Sequence, residues 1–190
     1  MFDDKKIILA SKSPRRQFIL TEAGIDFDVK PVDILEDHFI NLPVDEVARH
    51  IAEQKAKQFP YLKEKVIVIA ADTTVIINDS ILGKPDNRTE AVQMLSSLSG
   101  KTHHVTSGVC IKDRHQVVSF SDTTMVQFKV LTDREIEYYI DNFEPFDKAG
   151  SYGIQEWIGM IGITRIEGSY FTVMGLPIHK VYEALLKFCL

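Results

Sequence analysis

The chain has 190 residues, 45% hydrophobic and 26% charged, values ordinary for a globular protein. That length buries a real core, so residues 1–190 are expected to form a single domain, or at most two closely packed lobes around a central cleft. A formal net charge of −5 argues against a nucleic-acid binder, which needs a basic surface to release counterions, but a few local cations suffice for one small phosphate ligand. Cys110 and Cys189 are the only cysteines and lack any metal or redox spacing, which fits a reducing cytoplasm. The N-terminus does not follow the basic-then-apolar plan of a signal peptide, since Asp3 and Asp4 come early and the apolar run is short. No apolar stretch approaches the ~20 residues that span a bilayer. The expectation is a soluble protein with no membrane partner.

In chain order, Ile7 to Ala10 predicts a short buried strand. Ser13 and Pro14 open a helix, serine as N-cap and proline in the first turn, and Gly24 closes it. Phe27 to Val32 alternates as a strand does. Val44 to Phe59 predicts an amphipathic helix with Val44, Val47, Ala48, Ile51, Ala52 and Phe59 on one side. Val66 to Ala71 is a continuous apolar run of the kind buried on both faces of a sheet; Thr74 to Ile77 continues extended, and Asn78-Asp79 marks a turn. Asn87 with Glu90 resembles a capping box before a helix through Ala91, Met94, Leu95 and Leu98, which Gly100 ends. Residues 102–130 hold two long β-patterned segments around a turn near Asp113-Arg114. Thr132 with Glu135 caps a helix to about Phe143. Trp157 to Arg165 and Tyr170 to Met174 predict strands, and a final helix starts at Pro177. The mixed order of strands and helices predicts an α/β or α+β fold without repeats or linkers.

Five places offer chemistry. Ser11-Lys12-Ser13-Pro14-Arg15-Arg16 lies between a buried strand and a helix start, where free N–H groups attract phosphate and the hydroxyls and cations add charge-assisted donors. The plain alternative is a solvated basic helix start. Asp72 follows the apolar run, and a carboxylate there holds a divalent metal or orients water; alternatively it only forms a turn. Lys55 falls inside the apolar stripe of its helix, so its ammonium either snorkels to water or meets an anion. Gly83-Lys84-Pro85 resembles a phosphate-touching loop without the P-loop pattern, and Asp147 to Gln155 is dense in the small and polar residues of a binding loop. The acidic set Asp33, Glu36 and Asp37 joins Asp72 as a candidate hard-metal site or is a solvated loop. His103 and His104 lie in a strand pattern, point to opposite faces and cannot chelate one ion together.

Together these segments resemble the Maf family of nucleoside triphosphate pyrophosphatases. The carriers are Leu9 to Arg16, Ala71-Asp72-Thr73, Leu82 to Pro85, Met94-Leu95 through Gly100, Asp147 to Gln155, Gly168 to Tyr170 and Val173 to Pro177. They occur in order over nearly the whole chain. The resemblance implies an α/β fold, a mixed and strongly curved sheet with flanking helices related to inosine-triphosphatase-like enzymes. It further implies a divalent cation (Mg²⁺, Mn²⁺ or Co²⁺), a homodimer, and cleavage of a nucleotide between its α and β phosphates. One branch of the family acts on dTTP and UTP and the other on 7-methyl-GTP. Arg15, Thr73 and Gln155 stand where the second branch has Trp, Gln and Glu, so all three agree with the pyrimidine branch.

By the same resemblance Asp72 matches the general base, Lys55 and Lys84 match basic catalytic residues, and Ser11 and Arg16 match the phosphate loop. Glu36 matches an acidic residue near the metal, which Asp72 would also bind. The family shows adjacent acids ending at that position, whereas here Leu35 precedes and Asp37 follows, leaving Glu36, Asp37 or both as ligands. Competing readings are a 7-methyl-GTP pyrophosphatase, a phosphotransferase or γ-phosphate hydrolase, and a nucleotide-sensing regulator of cell division without turnover.

Overall fold

The computed structural model describes residues 2, 4–34 and 42–188. In chain order the elements are β1 (Lys6–Leu9), α1 (Pro14–Glu22), β2 (Asp28–Val29), α2 (Val44–Lys57), β3 (Val66–Ile77), β4 (Ser80–Leu82), α3 (Arg88–Leu98), β5 (Thr102–Lys112), β6 (Val117–Phe128), α4 (Asp133–Phe143), α5 (Trp157–Gly162), β7 (Ile163–Glu167), α6 (Tyr170–Met174) and α7 (Ile178–Lys187), with two single 3-10 turns at Pro145–Asp147 and Ala149–Ser151. The strands pair in the order β2-β1-β3-β5-β6-β7, with β4 on β3. The sheet is mixed: β1 runs parallel to β2 and β3, while β3–β4 and β6–β7 are antiparallel. This is the mixed α/β fold that the resemblance implies, one of the two classes that the order of elements allows.

The chain divides into two compact units, Met1–Thr73 with Ser107–Asp122 and Gly175–Leu190, and Thr74–Thr106 with Thr123–Met174. In the first unit, Ile8, Ala10, Ala52, Ala56, Val68, Ala70 and Cys110 form a buried cluster. Their small side chains let α2 lie close on the strands. The approach is tightest at Gly108 of β5, where a Cβ would stand 2.1 Å from the backbone nitrogen of Arg49 and 2.2 Å from the carbonyl carbon of Ala48. Glycine inside a strand commonly marks such an approach.

In the second unit, Leu95, Leu98, Phe128, Tyr139 and Ile140 are fully buried. Rings of His103, Phe128 and Tyr152 pack together, the imidazole stacked on Phe128 at 5.6 Å and meeting Tyr152 edge-on at 5.5 Å. His103 is buried and His104 exposed, as alternation along β5 requires.

The helix caps follow local chemistry. Asn87 Oδ1 accepts from Glu90 N at 3.0 Å, and Thr132 with Glu135 makes the full reciprocal capping box. Asp113 Oδ1 accepts from the backbone nitrogens of His115 and Gln116 and so closes the turn between β5 and β6.

Two expected strands prove to be helical. Trp157–Gly162 is α5, and only Ile163–Glu167 is extended. Gly159 allows this, since a Cβ there would lie 2.0 Å from the Ile154 carbonyl oxygen. Tyr170–Met174 is α6, begun by Gly168 at φ +127° and by Thr172 N donating to Ser169 O at 3.1 Å. In both, aromatic and β-branched residues read as strand, and tertiary packing outweighs that preference. The segment Phe27 to Val32 pairs only through Asp28–Val29.

Candidate active site

In the first unit, β3 runs past its parallel partner: β1 ends at Leu9, in register with Ile69, whereas β3 continues through Asp72 and Thr73. Asp72 therefore lies inside a strand, not at the end of its own, yet beyond the carboxyl end of β1. In open α/β sheets ligands bind outside such strand ends. The chain leaving β1 carries Ser11 and Lys12 and enters α1 at Pro14.

Alternation along β3 sends Asp72 and Thr73 to opposite faces. Asp72 faces α2, where Lys55 Nζ donates to its Oδ1 at 2.6 Å; the side chains are 14% and 18% exposed. The lysine on the apolar stripe is thus paired, as the cost of burying a lone ammonium requires.

Thr73 faces α1, where Arg16 Nη2 donates to its Oγ1 at 3.0 Å. Arg16 is only 8% exposed and has two further acceptors, Gly175 O from Nε at 2.8 Å and Ser11 Oγ from Nη1 at 3.0 Å. Burial lowers its pKa, the Asp72 charge raises it and Arg15 lowers it again. A guanidinium so placed keeps its proton.

Thr73 Oγ1 also lies 2.8 Å from Ser107 Oγ on β5 and 3.4 Å from Gly175 O. Gly175, at φ +121°, brings the chain back beside Arg16 in a conformation that side-chain-bearing residues rarely adopt. Arg15 is half-buried, and Lys12 is exposed and paired with Asp33 at 3.2 Å. Ser13 takes the N-cap position of α1 without a side-chain cap bond; its own N–H donates to Ser11 Oγ at 3.3 Å.

The second unit holds the other expected residues, Lys84 and Gln155. Lys84 is exposed, next to Gly83, whose carbonyl accepts from Gly150 N at 2.9 Å. The Gly83-Lys84-Pro85 and Asp147–Gln155 segments are therefore joined. Lys148 is 8% exposed and its Nζ reaches Asp147 at 2.7 Å and Glu156 at 3.1 Å. Glu156 also accepts from the Tyr139 hydroxyl, which in turn accepts from Gly153 N at 3.0 Å. Burial and Glu156 push the Tyr139 hydroxyl well above its ordinary pKa. This network fixes the backbone on both sides of Gln155, whose Oε1 is buried with no hydrogen-bond partner among the described residues.

Glu36 and Asp37, the expected metal-site acids, lie outside the described residues. Among the described residues no three His, Cys, Asp or Glu side chains gather as a metal site. Ser107, Gly175, Tyr139 and Glu156 were not expected in these networks. Ser107-Gly108 interrupts an apolar strand, a signal that was readable; the others depend on contacts far apart in sequence.

The fold is a mixed sheet that delivers a hydroxyl-bearing loop to a helix start, beside a paired carboxylate and a buried guanidinium, an arrangement of the kind α/β proteins present to ligands at strand ends. The chain belongs to the Maf-like protein family, which matches residues 6–188. It is similar to the dTTP/UTP pyrophosphatase of Porphyromonas gingivalis, 46% identical over 96% of this chain and 94% of that one. Likewise, the dTTP/UTP pyrophosphatase of Christiangramia forsetii is 48% identical over 97% and 95% of the two chains. Among solved structures, a HAM1 protein from Coxiella burnetii overlaps 65% of this chain and 73% of its own at a TM-score of 0.45 and 16% identity. No described helix is long and apolar enough to cross a membrane.

Proposed function

We propose that this protein hydrolyses dTTP and UTP to the nucleoside monophosphate and pyrophosphate. The observation that carries the reading is the match, over nearly the full length, to relatives named for that activity. The Asp72–Lys55 pair supplies the chemistry it needs. In this reading water attacks the α phosphorus, the bond to the bridging oxygen breaks, and Asp72 takes the water's proton. Lys55 holds the carboxylate in place through its 2.6 Å bond. Ser11 and the α1 start receive phosphate oxygens.

A hard cation of the Mg²⁺ type takes one or two carboxylates and completes its shell with phosphate oxygens and water, so Asp72 suits it as a protein ligand, with Glu36 the second by resemblance. When bound, such an ion supplies positive charge against the developing pyrophosphate charge. The resemblance assigns Lys84 to the phosphates, and Arg15, Thr73 and Gln155 to the base. For Gln155 the unpartnered Oε1 supports this, because the imide N–H of uracil or thymine is the donor it lacks. A homodimer in the cytoplasm completes the reading.

The test is a nucleotide panel with Mg²⁺, Mn²⁺ or Co²⁺, product identity being read by chromatography. Monophosphate and pyrophosphate from dTTP and UTP are expected. A higher kcat/KM for 7-methyl-GTP, release of orthophosphate, or binding without turnover would each overturn the reading in a distinguishable way.

A further inference from the structure

Hydroxyl groups carry one donor and two acceptor sites, while a guanidinium only donates. That asymmetry decides the polarity of the hydrogen bonds around Arg16. Ser11 Oγ receives Arg16 Nη1 at 3.0 Å and Ser13 N at 3.3 Å, which fills both of its lone pairs. Its O–H remains, and among the described residues nothing accepts it, although Ser11 is only 7% exposed. Thr73 receives Arg16 Nη2, and its single hydrogen goes to Ser107 Oγ at 2.8 Å or Gly175 O at 3.4 Å. Either way, that hydrogen stays inside the protein.

We propose that Arg16 is a positioning residue: its guanidinium turns the Ser11 hydroxyl outward as a fixed donor to an anionic ligand and turns the Thr73 hydroxyl inward. The proposal rests on the nucleotide reading for the ligand's identity but only on an anion for its test. All three nitrogens of the guanidinium donate within the chain, to Ser11, Thr73 and Gly175, which takes three of its five N–H groups and fixes its plane. In this proposal Arg16, held by those bonds, acts through Ser11, and its charge strengthens the anion's attraction from behind the hydroxyl.

The experiment measures binding of inorganic pyrophosphate by calorimetry to wild type, Ser11→Ala, Arg16→Lys and the double variant, with thermal melts as the folding control. Lysine keeps the charge but loses the fork that serves several acceptors at once. Removal of one hydrogen bond to a charged group is expected to weaken binding about 10- to 100-fold in each single variant. The double variant is expected to lose no more than about threefold beyond the weaker-binding single variant, because both changes remove one interaction. Losses that multiply would show Arg16 touching the anion independently and would overturn the proposal. So would Ser11→Ala binding as tightly as wild type, an outcome that stands even where Arg16→Lys fails to fold. Wild type that binds pyrophosphate but leaves dTTP and UTP uncut would sink the proposed activity and not this inference.

Discussion

Lys55 Nζ stands 2.6 Å from Asp72 Oδ1, although the two lie 17 positions apart on different elements, α2 and β3. With both side chains mostly buried, each is the other's compensation for lost water. Asp72→Asn keeps the shape and removes the proposed proton acceptor, so turnover is expected to fall ~10²–10⁴-fold. Lys55→Met, which leaves the carboxylate alone, is expected to lower both turnover and melting temperature. Pyrophosphate release and a thermal melt check both variants. A folded Asp72→Asn protein working at near the wild-type rate would remove the carboxylate from the reaction.

Gly108 predicts a purely steric sensitivity. A methyl group there would meet the backbone of α2 at Ala48 and Arg49, which cannot swing aside as a side chain can. Gly108→Ala is expected to lift α2 and cost about 1–3 kcal/mol, the usual range for overpacking. Lys55 rides on the same helix, so turnover should fall as well. Urea unfolding and steady-state kinetics report the two effects; unchanged values in both would mean that α2 yields at no cost.

His103 makes stability depend on pH. Burial, with a smaller contribution from His104, pushes its imidazole down from 6.5 to about 4. Below pH ~6.5 the unfolded chain takes up a proton that the folded chain refuses until about pH 4. Stability present above pH 6.5 is therefore lost as the pH falls through that window, by up to ~3 kcal/mol for this group. His103→Gln should be less stable at pH 7, having lost the imidazole in its 2.8 Å bond with the Tyr152 hydroxyl, but should show a shallower decline toward pH 4.5. Urea midpoints at the two pH values test this, and equal declines in variant and wild type would discard it.

Much of this protein was determined by residues near one another in the chain. The capping pairs Asn87–Glu90 and Thr132–Glu135, the turn at Asp113, the apolar run into β3 and the amphipathic α2 all follow from interactions a few residues long, and the motifs around Ser11, Asp72 and Gln155 mark the family. Tertiary structure decided the rest. It made helices of 157–162 and 170–174, where close approaches at Gly159 and the turn at Gly168 outweigh strand-forming side chains. It also settled what the polar residues do: Lys55 meets Asp72, and Arg16 meets Ser11, Thr73 and Gly175, across 5 to 159 positions of sequence. A buried charge must find a partner wherever the fold places one, and no local pattern records that partner's address.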